Sequence, residues 1–228
     1  MNRRTPEKSR ILHLLKLGIF ASLLVLAGDM ILGWGVSDMS AREIPQFLTR
    51  YRQVSEPRII TSAMLGLFGI PVECLSWSAL VRMIRPYSEK DAHAFRAGMI
   101  GCLVFGACGV HVPCCMAVFL LKRFYANDPM LAGAEMMRFL GWFLLPALIL
   151  FSIFFFWMVF TLAFAIGRGH SPLPRWCWIF SILFGLILSV ILRCSGGHAF
   201  TNALSTGWIS LGNLWMMTGI LIQAEKVL

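Results

Sequence analysis

The stretch from Leu17 to Gly35, LGIFASLLVLAGDMILGWG, most constrains what this chain can fold into. It is long enough to cross a bilayer, because a transmembrane helix needs about 20 mostly apolar residues. One carboxylate, Asp29, lies in its second half. A charge at that depth costs roughly 2.5–3.5 kcal/mol on insertion scales, so it normally faces a protein interior or a water-filled cavity. The rest of the chain must therefore provide polar partners for Asp29.

Composition indicates a membrane protein throughout. Of the 228 residues, 58% are hydrophobic and only 14% are charged, a balance that does not suit a water-exposed surface. The net charge of +9 comes from short basic clusters at the ends of apolar runs, such as Arg3-Arg4 and Lys122-Arg123. That placement is typical of membrane flanks attracted to anionic lipid. We therefore expect the lipid bilayer, and no nucleic acid, as a partner.

Six apolar runs predict an all-α bundle of six transmembrane helices, with residues 1–228 in a single transmembrane domain. The runs are roughly 13–35, 59–82, 96–121, 139–166, 175–193 and 199–222. The fourth run is longer than a bilayer requires, so we expect it to tilt, to extend past the bilayer, or to kink at Pro146. The first follows a basic segment like that of a signal peptide, but its length and Asp29 indicate a retained span.

Basic residues predict the orientation of the bundle. With a cytoplasmic N-terminus, the inner loops and termini carry twelve of the 20 Lys and Arg residues, and the outer loops carry the remaining eight. Because positively charged loops favour the cytoplasmic side, we expect both termini in the cytoplasm. We place the protein in the plasma membrane as a multi-pass protein.

The first outer loop contains a helix-start signal. Ser40 and Glu43 have the spacing of a capping box, and apolar side chains follow on one helical face, at Ile44, Phe47, Leu48 and Tyr51. This pattern predicts a short amphipathic helix lying in the membrane interface. A plain connector is the alternative.

Both acids in the first two runs lie on faces made of small residues. At the helical period, Asp29 shares its face with Gly18, Ser22, Val25 and Gly33. Glu73 shares its face with Ser62, Gly66, Gly69, Ser76 and Trp77. Membrane helices approach one another closely where such residues lie, so we expect both carboxylates to face the interior of the bundle.

Polar residues in two further runs complete a constellation. The third run places His111 on one face with Val104, Ala107, Cys108 and Cys115. The sixth run carries a stripe that spans about 100° of a continuous helix, formed by His198, Asn202, Ser205, Ile209 and Asn213. We expect one cavity that collects Asp29, Glu73 and His111, with the stripe as its opposite wall.

This constellation predicts an intramembrane enzyme that acts on a lipid or another apolar small molecule. Asp29 and Glu73 would act as acid and base, and His111 would orient a water or share the proton. The polar residues of the last run would hold the substrate, namely His198, Asn202, Ser205 and Asn213. Two alternatives stay open: a small proton-coupled transporter, and a structural or accessory subunit whose polar residues only join helices.

The cysteines do not indicate a metal or redox site. Six of the seven lie within or at the edge of apolar runs, and none forms a CxxC or a zinc-type Cys/His spacing. Cysteine in such a place behaves as a small apolar residue. No spacing motif predicts a metal site at Asp29, Glu73 and His111 either.

Two short patterns resemble those of known membrane families. Gly28-Asp29 and Gly109-Val110-His111 are similar to motifs of the lysoplasmalogenase-type membrane hydrolases, over about a quarter of the chain. That resemblance implies hydrolase-like chemistry at Asp29 and His111. The chain departs from the family in its six predicted spans rather than eight, and its second Asp-bearing span is missing unless Glu73 replaces it.

Gly28-Asp29 followed by the segment Leu32-Gly33-Trp34-Gly35 also resembles a group of uncharacterised small bacterial multi-pass membrane proteins with a Gly-Asp in the first span. That resemblance implies membership of such a family but no particular activity.

Overall fold

The structure is a computed structural model, and it describes residues 4–38, 40, 42, 45–194 and 198–228. Within these residues every regular element is a helix, which confirms the all-α prediction. The sequence explains this class, because long apolar runs can satisfy all their backbone hydrogen bonds in lipid only as helices or closed barrels.

Four helices are long and apolar enough to cross a membrane. They span Glu7–Gly33, Glu56–Ile84, Glu89–Tyr125 and Pro129–Gly167. They cover the first four predicted runs except for residues 34 and 35, which follow the end of the first helix. Large apolar side chains cover their outer surface, and Trp142 and Phe68 are 80% and 69% exposed. Such a surface would promote aggregation in water, whereas in a bilayer it would face acyl chains.

Three of these four helices are locally subdivided. The first is α1 (Arg4–Gly33), and the second consists of α2 (Glu56–Ser76) and α3 (Ser78–Ile84). The third contains α4 (Glu89–Phe105), a π-helix (Gly106–His111) and α5 (Val112–Tyr125). The fourth contains α6 (Pro129–Phe139), a second π-helix (Leu140–Leu144) and α7 (Leu145–Gly167).

A proline follows each π-helix by two residues, at Pro113 and Pro146. Proline lacks an N–H, and its ring clashes with the carbonyl four residues earlier. At the end of each π-helix the backbone N–H reaches back five residues, from Val112 to Ala107 and from Leu145 to Leu140. The wider turn makes room for the proline ring. The irregularity predicted at Pro146 is therefore a π-helix.

Neither of the last two predicted spans, 175–193 and 199–222, is a single continuous helix. The fifth predicted span consists of a 3₁₀ helix (Arg175–Ile179) and α8 (Leu183–Cys194). At 12 residues, α8 is about 18 Å long, against a hydrocarbon core of about 30 Å. The last is divided at Gly207 into α9 (Ala199–Thr206) and α10 (Trp208–Val227). Six spans are therefore not confirmed.

The first loop contains a short 3₁₀ helix, Gln46–Gln53. The predicted cap residue Glu43 and its neighbour Ile44 lie outside the described residues. Leu48 is buried in a cluster with Leu121 of α5 and Met136 of α6. The apolar side of this helix thus packs on the bundle.

Helix α1 lies at the centre of the N-terminal and C-terminal elements, packed along α2 and α10 and against α9. Helix α4 packs along α7, and α5 packs along α6. The main buried cluster joins the two groups and includes Leu80, Phe95, Met158 and Met216.

Helices α8 and α10 approach each other at two glycines. A Cβ on Gly185 would overlap the carbonyl oxygen of Trp208, and a Cβ on Gly212 would overlap the carbonyl oxygen of Ile182. Backbone cannot yield as a flexible side chain can, so these positions require glycine.

We predict that Gly212→Ala destabilises the protein by about 1–3 kcal/mol, the usual effect of overpacking. The matched control is Gly167→Ala, because a Cβ there meets nothing within 4 Å and should change stability by less than about 0.5 kcal/mol. Thermal unfolding of the detergent-purified protein, followed by tryptophan fluorescence, measures both. Equal stability of the two variants would contradict the close approach.

Candidate functional site

A cavity of about 520 Å³ lies between α1, α2 and α10 on one side and α5, α6 and α7 on the other. Its volume is within the range of small-molecule binding sites. Most of its wall is apolar, but it also contains Asp29, Glu73 and His111. The three predicted catalytic residues therefore line one cavity.

His111 and Asp29 form a close acid–base pair. His111 Nε2 lies 2.9 Å from the carbonyl oxygen of Ser62, and Nδ1 lies 3.4 Å from Asp29 Oδ1. A carbonyl oxygen only accepts hydrogen bonds, so Nε2 carries a hydrogen. Nδ1 therefore faces the Asp29 carboxyl group, at the distance of an ion pair rather than of a short hydrogen bond.

Small residues and a helix break bring this pair together. A Cβ on Gly66 would overlap the imidazole ring of His111, so only glycine fits at that position of α2. Gly207, between α9 and α10, lies directly against Asp29. Beyond that break, the Ser210 hydroxyl donates to Asp29 Oδ2 at 3.1 Å.

Glu73 is held by a second hydrogen-bonded group that joins three helices. Its Oε1 accepts from Asn213 Nδ2 at 2.6 Å and lies 3.1 Å from the Ser22 hydroxyl. Asn213 Oδ1 in turn accepts from Trp77 Nε1 at 2.7 Å. The Ser22 hydroxyl has one hydrogen and is closer to the Gly18 carbonyl, at 2.7 Å, so Asn213 is the principal donor to the carboxyl group.

The two carboxyl oxygens of Glu73 differ in their hydrogen bonds, because only Oε1 accepts from the described residues. Glu73 is only 3% exposed, yet its Oε2 accepts no hydrogen bond from the described part of the chain. That atom is not among the fully enclosed atoms that lack a partner, and Glu73 lines the cavity. Oε2 is therefore the oxygen available to a molecule in the cavity.

None of the four residues predicted to bind substrate lines the cavity. His198 is exposed before α9, Asn202 donates to the Gly35 carbonyl at 2.8 Å, and Ser205 donates to the Asn202 carbonyl at 3.0 Å. Asn213 donates to Glu73 Oε1 but does not itself line the cavity. Their role as substrate ligands stays a prediction.

The break at Gly207 explains this difference. The polar stripe was placed on one continuous helix, whereas α9 and α10 are separate helices. The elements that meet at the break contribute other residues to the cavity wall, namely Thr206, Trp208, Ile209 and Ser210.

The predicted face of His111 is only half correct. Ala107 and Cys115 are buried, as expected, but Val104 is 59% exposed and Cys108 is exposed too. The π-helix Gly106–His111 is the physical reason. It adds a residue to the turn, so a count at the α-helical period does not carry across it.

Two arginines in the cavity wall were missed by sequence reasoning. Arg50 in the 3₁₀ helix is only 8% exposed, and Arg193 at the end of α8 is exposed; both line the cavity. The predicted orientation places both among the eight cations of the outer loops. An arginine in a short loop carries no sequence signal that it is buried.

No three His, Cys, Asp or Glu side chains among the described residues lie together in a way that could hold a metal ion. All seven cysteines are unpaired.

The profile of DUF6796, described as a family of unknown function, matches residues 1–227. The chain belongs to the DUF6796 family. No curated protein and no solved structure matches it. Membership of DUF6796 agrees with the expected resemblance to an uncharacterised family and assigns no activity. The resemblance to lysoplasmalogenase-type hydrolases stays an expectation.

We predict that Asn213→Ala destabilises this DUF6796 protein by about 1–3 kcal/mol for each buried polar group left unpaired. The substitution leaves Trp77 Nε1 and Glu73 Oε1 without their partner. Asn127→Ala, at an exposed turn position, is the matched control. Thermal unfolding in detergent measures both, and equal unfolding temperatures would show that the group does not stabilise the fold.

Proposed function

We propose that this protein is an intramembrane enzyme with hydrolase-like chemistry that acts on a lipid or another apolar small molecule. One observation carries the proposal. The Asp29–His111 pair and Glu73, whose Oε2 accepts no hydrogen bond from the described residues, line the same mostly apolar cavity. An acid and a base beside an apolar binding volume are the requirements for proton transfer to and from an apolar substrate.

The two groups have different roles in the proposal. Glu73 Oε2 removes a proton from a water or from the substrate, while Asn213 holds the other oxygen in place. The Asp29–His111 pair donates its proton to the leaving group, and the Ser62 carbonyl keeps the imidazole oriented. Neutral side chains would join the helices at lower cost in a membrane, which supports a role for these charged groups beyond packing.

We also propose six membrane crossings in a plasma membrane, with both termini in the cytoplasm. The fifth and sixth crossings would be irregular, built from the segments around α8 and from α9 with α10. Irregular backbone at membrane depth is tolerated where it packs on protein. Helix α8 contacts both α9 and α10, which supports this arrangement.

The orientation makes a measurable prediction. A green fluorescent protein fused after Leu228 should fluoresce in bacterial cells, and an alkaline phosphatase fused at the same position should be inactive. Fusions after Tyr125, in the second predicted outer loop, should show the reverse pattern. Active phosphatase at the C-terminus would contradict both the inner C-terminus and an even number of crossings from an inner N-terminus.

The enzymatic proposal is tested through the lipids of the cell. We predict that deleting the gene changes the abundance of at least one lipid class, and that the wild-type gene restores it. Asp29→Asn and Glu73→Gln should fail to restore it, since loss of a general acid or base typically lowers the rate 10²–10⁴-fold. Glu225→Gln, an exposed acid on α10, is the matched control and should restore it.

Unchanged lipid pools after deletion would overturn the enzymatic proposal. Full activity of the Asp29→Asn, Glu73→Gln double variant would favour a structural or accessory subunit instead. Amounts of each variant in the membrane fraction must match wild type for this comparison.

The Asp29–His111 pair in the cavity wall also favours a second candidate, a small proton-coupled transporter. In that case a solute would enter proteoliposomes in response to an imposed pH gradient, and Asp29→Asn would abolish the response. Lipid turnover by purified protein, with no pH-dependent uptake, would decide against the transporter.

A further inference from the structure

Arg50 is a buried cation that has no anion beside it in the part of the chain that the structure describes. Its residue surface is 8% exposed, and no ion pair in the described part of the chain includes it. The guanidinium lies 4.8 Å from the centre of the Tyr51 ring. Nη2 donates to the Tyr51 hydroxyl at 2.9 Å and lies 3.4 Å from Thr206 Oγ1.

The remaining guanidinium nitrogens are unused. Nε is enclosed and has no hydrogen-bond partner among the described residues. Nη1 makes no hydrogen bond there either and is not fully enclosed. Burying a charge without a partner of opposite sign is strongly unfavourable. A ligand that offers an anion to Arg50 would remove that cost.

Other cations nearby have ordinary structural partners. Arg52 donates to the Tyr125 hydroxyl at 2.8 Å and lies over that ring. Arg58 donates to the carbonyls of Ile31 and Trp34 at the end of α1. Neither arginine lines the cavity, whereas Arg50 does.

The cavity wall is divided between basic and apolar parts. Its cations are Arg50 and Arg193, and Thr206 contributes a hydroxyl near Arg50. The wall formed by α7 is almost entirely apolar, with Leu148, Phe151, Phe155 and Phe156. The acids in the wall are Asp29, which pairs with His111, and Glu73, which accepts from Asn213 through Oε1 and keeps Oε2 available to the cavity.

We propose that the cavity binds a single-chain amphiphile with an oxyanion headgroup, a phosphate or a carboxylate, with Arg50 as the residue that selects the charge. The planar fork of arginine matches both oxyanions by paired hydrogen bonds. Arg193 adds a second positive charge, and the chain lies along the α7 wall. A volume of about 520 Å³ suits one chain, since sites of this size bind one small molecule. The inference rests on the proposed function and names the class of molecule that enters its cavity.

The test is equilibrium binding to the full-length protein purified in a neutral maltoside detergent. Trp77 and Trp208 line the cavity, so their fluorescence reports occupancy. The probes are 1-oleoyl lysophosphatidic acid, oleate, the uncharged 1-monooleoylglycerol and inorganic phosphate. We expect the two anionic amphiphiles to bind at least about tenfold more tightly than monooleoylglycerol, as charged hydrogen bonds imply. Inorganic phosphate should bind far more weakly than lysophosphatidic acid.

Variants assign the selectivity to Arg50. Arg50→Gln should remove the tenfold preference for the anionic probes and leave monooleoylglycerol binding unchanged, while Arg50→Lys should keep part of the preference. Arg52→Gln is the matched control, because it changes the charge two residues away without touching the cavity. Arg193→Gln alters an exposed side chain and should weaken anionic binding even if Arg50→Gln fails to fold.

Three outcomes would overturn the proposal: equal affinity for charged and uncharged amphiphiles, equal effects of Arg50→Gln and Arg52→Gln, or phosphate binding that needs no chain. The Asp29→Asn, Glu73→Gln double variant separates this inference from the enzymatic one. It should still bind lysophosphatidic acid, because binding does not require turnover. Normal lipid pools in deleted cells would thus overturn the enzyme and leave the binding result standing.

Discussion

The pairing of Asp29 with His111 is the interaction on which the arrangement of these helices depends. A carboxylate in the second half of an apolar helix is costly unless another helix brings it a partner. His111 can approach Asp29 only because Gly66 leaves space for the imidazole ring, and the Ser62 carbonyl accepts a hydrogen bond from that ring. The helices carrying these residues must therefore keep one relative rotation, and that rotation leaves the cavity open beside them.

Polar groups around the cavity are of two kinds: some have all their hydrogen bonds made within the protein, and others do not among the described residues. Asn213 is fully buried, its side-chain oxygen and nitrogen are both bonded, and its contacts join α1, α2 and α10. Glu73 Oε2 and Arg50 Nη1 have no hydrogen-bond partner among the described residues and belong to residues of the cavity wall. Fully hydrogen-bonded groups stabilise the bundle, whereas groups with unused capacity in a cavity wall can bind a ligand. This distinction supports assigning function to Glu73 and Arg50 and a structural role to Asn213.

Sequence patterns were reliable where the backbone follows the regular α-helical period. The small-residue face of Glu73 is buried as expected, including Ser62, Ser76 and Trp77. The patterns failed where the backbone departs from that period. One such place is the π-helix before Pro113, which turns Val104 outward, and the other is Gly207, which divides the polar stripe. Both failures have one cause, because a single irregular turn rotates every residue beyond it.

The amino-acid sequence by itself determined the helical class, the apolar surface and the inward faces of Asp29 and Glu73, because each follows from bilayer thickness and a local period. Only the tertiary structure decided that Asp29 pairs with His111, that Asn213 donates to Glu73, and that Arg50 is buried in the wall of the same cavity. The first two contacts join residues 82 and 140 positions apart. They depend on how helices rotate and cross against one another, and no local pattern encodes that.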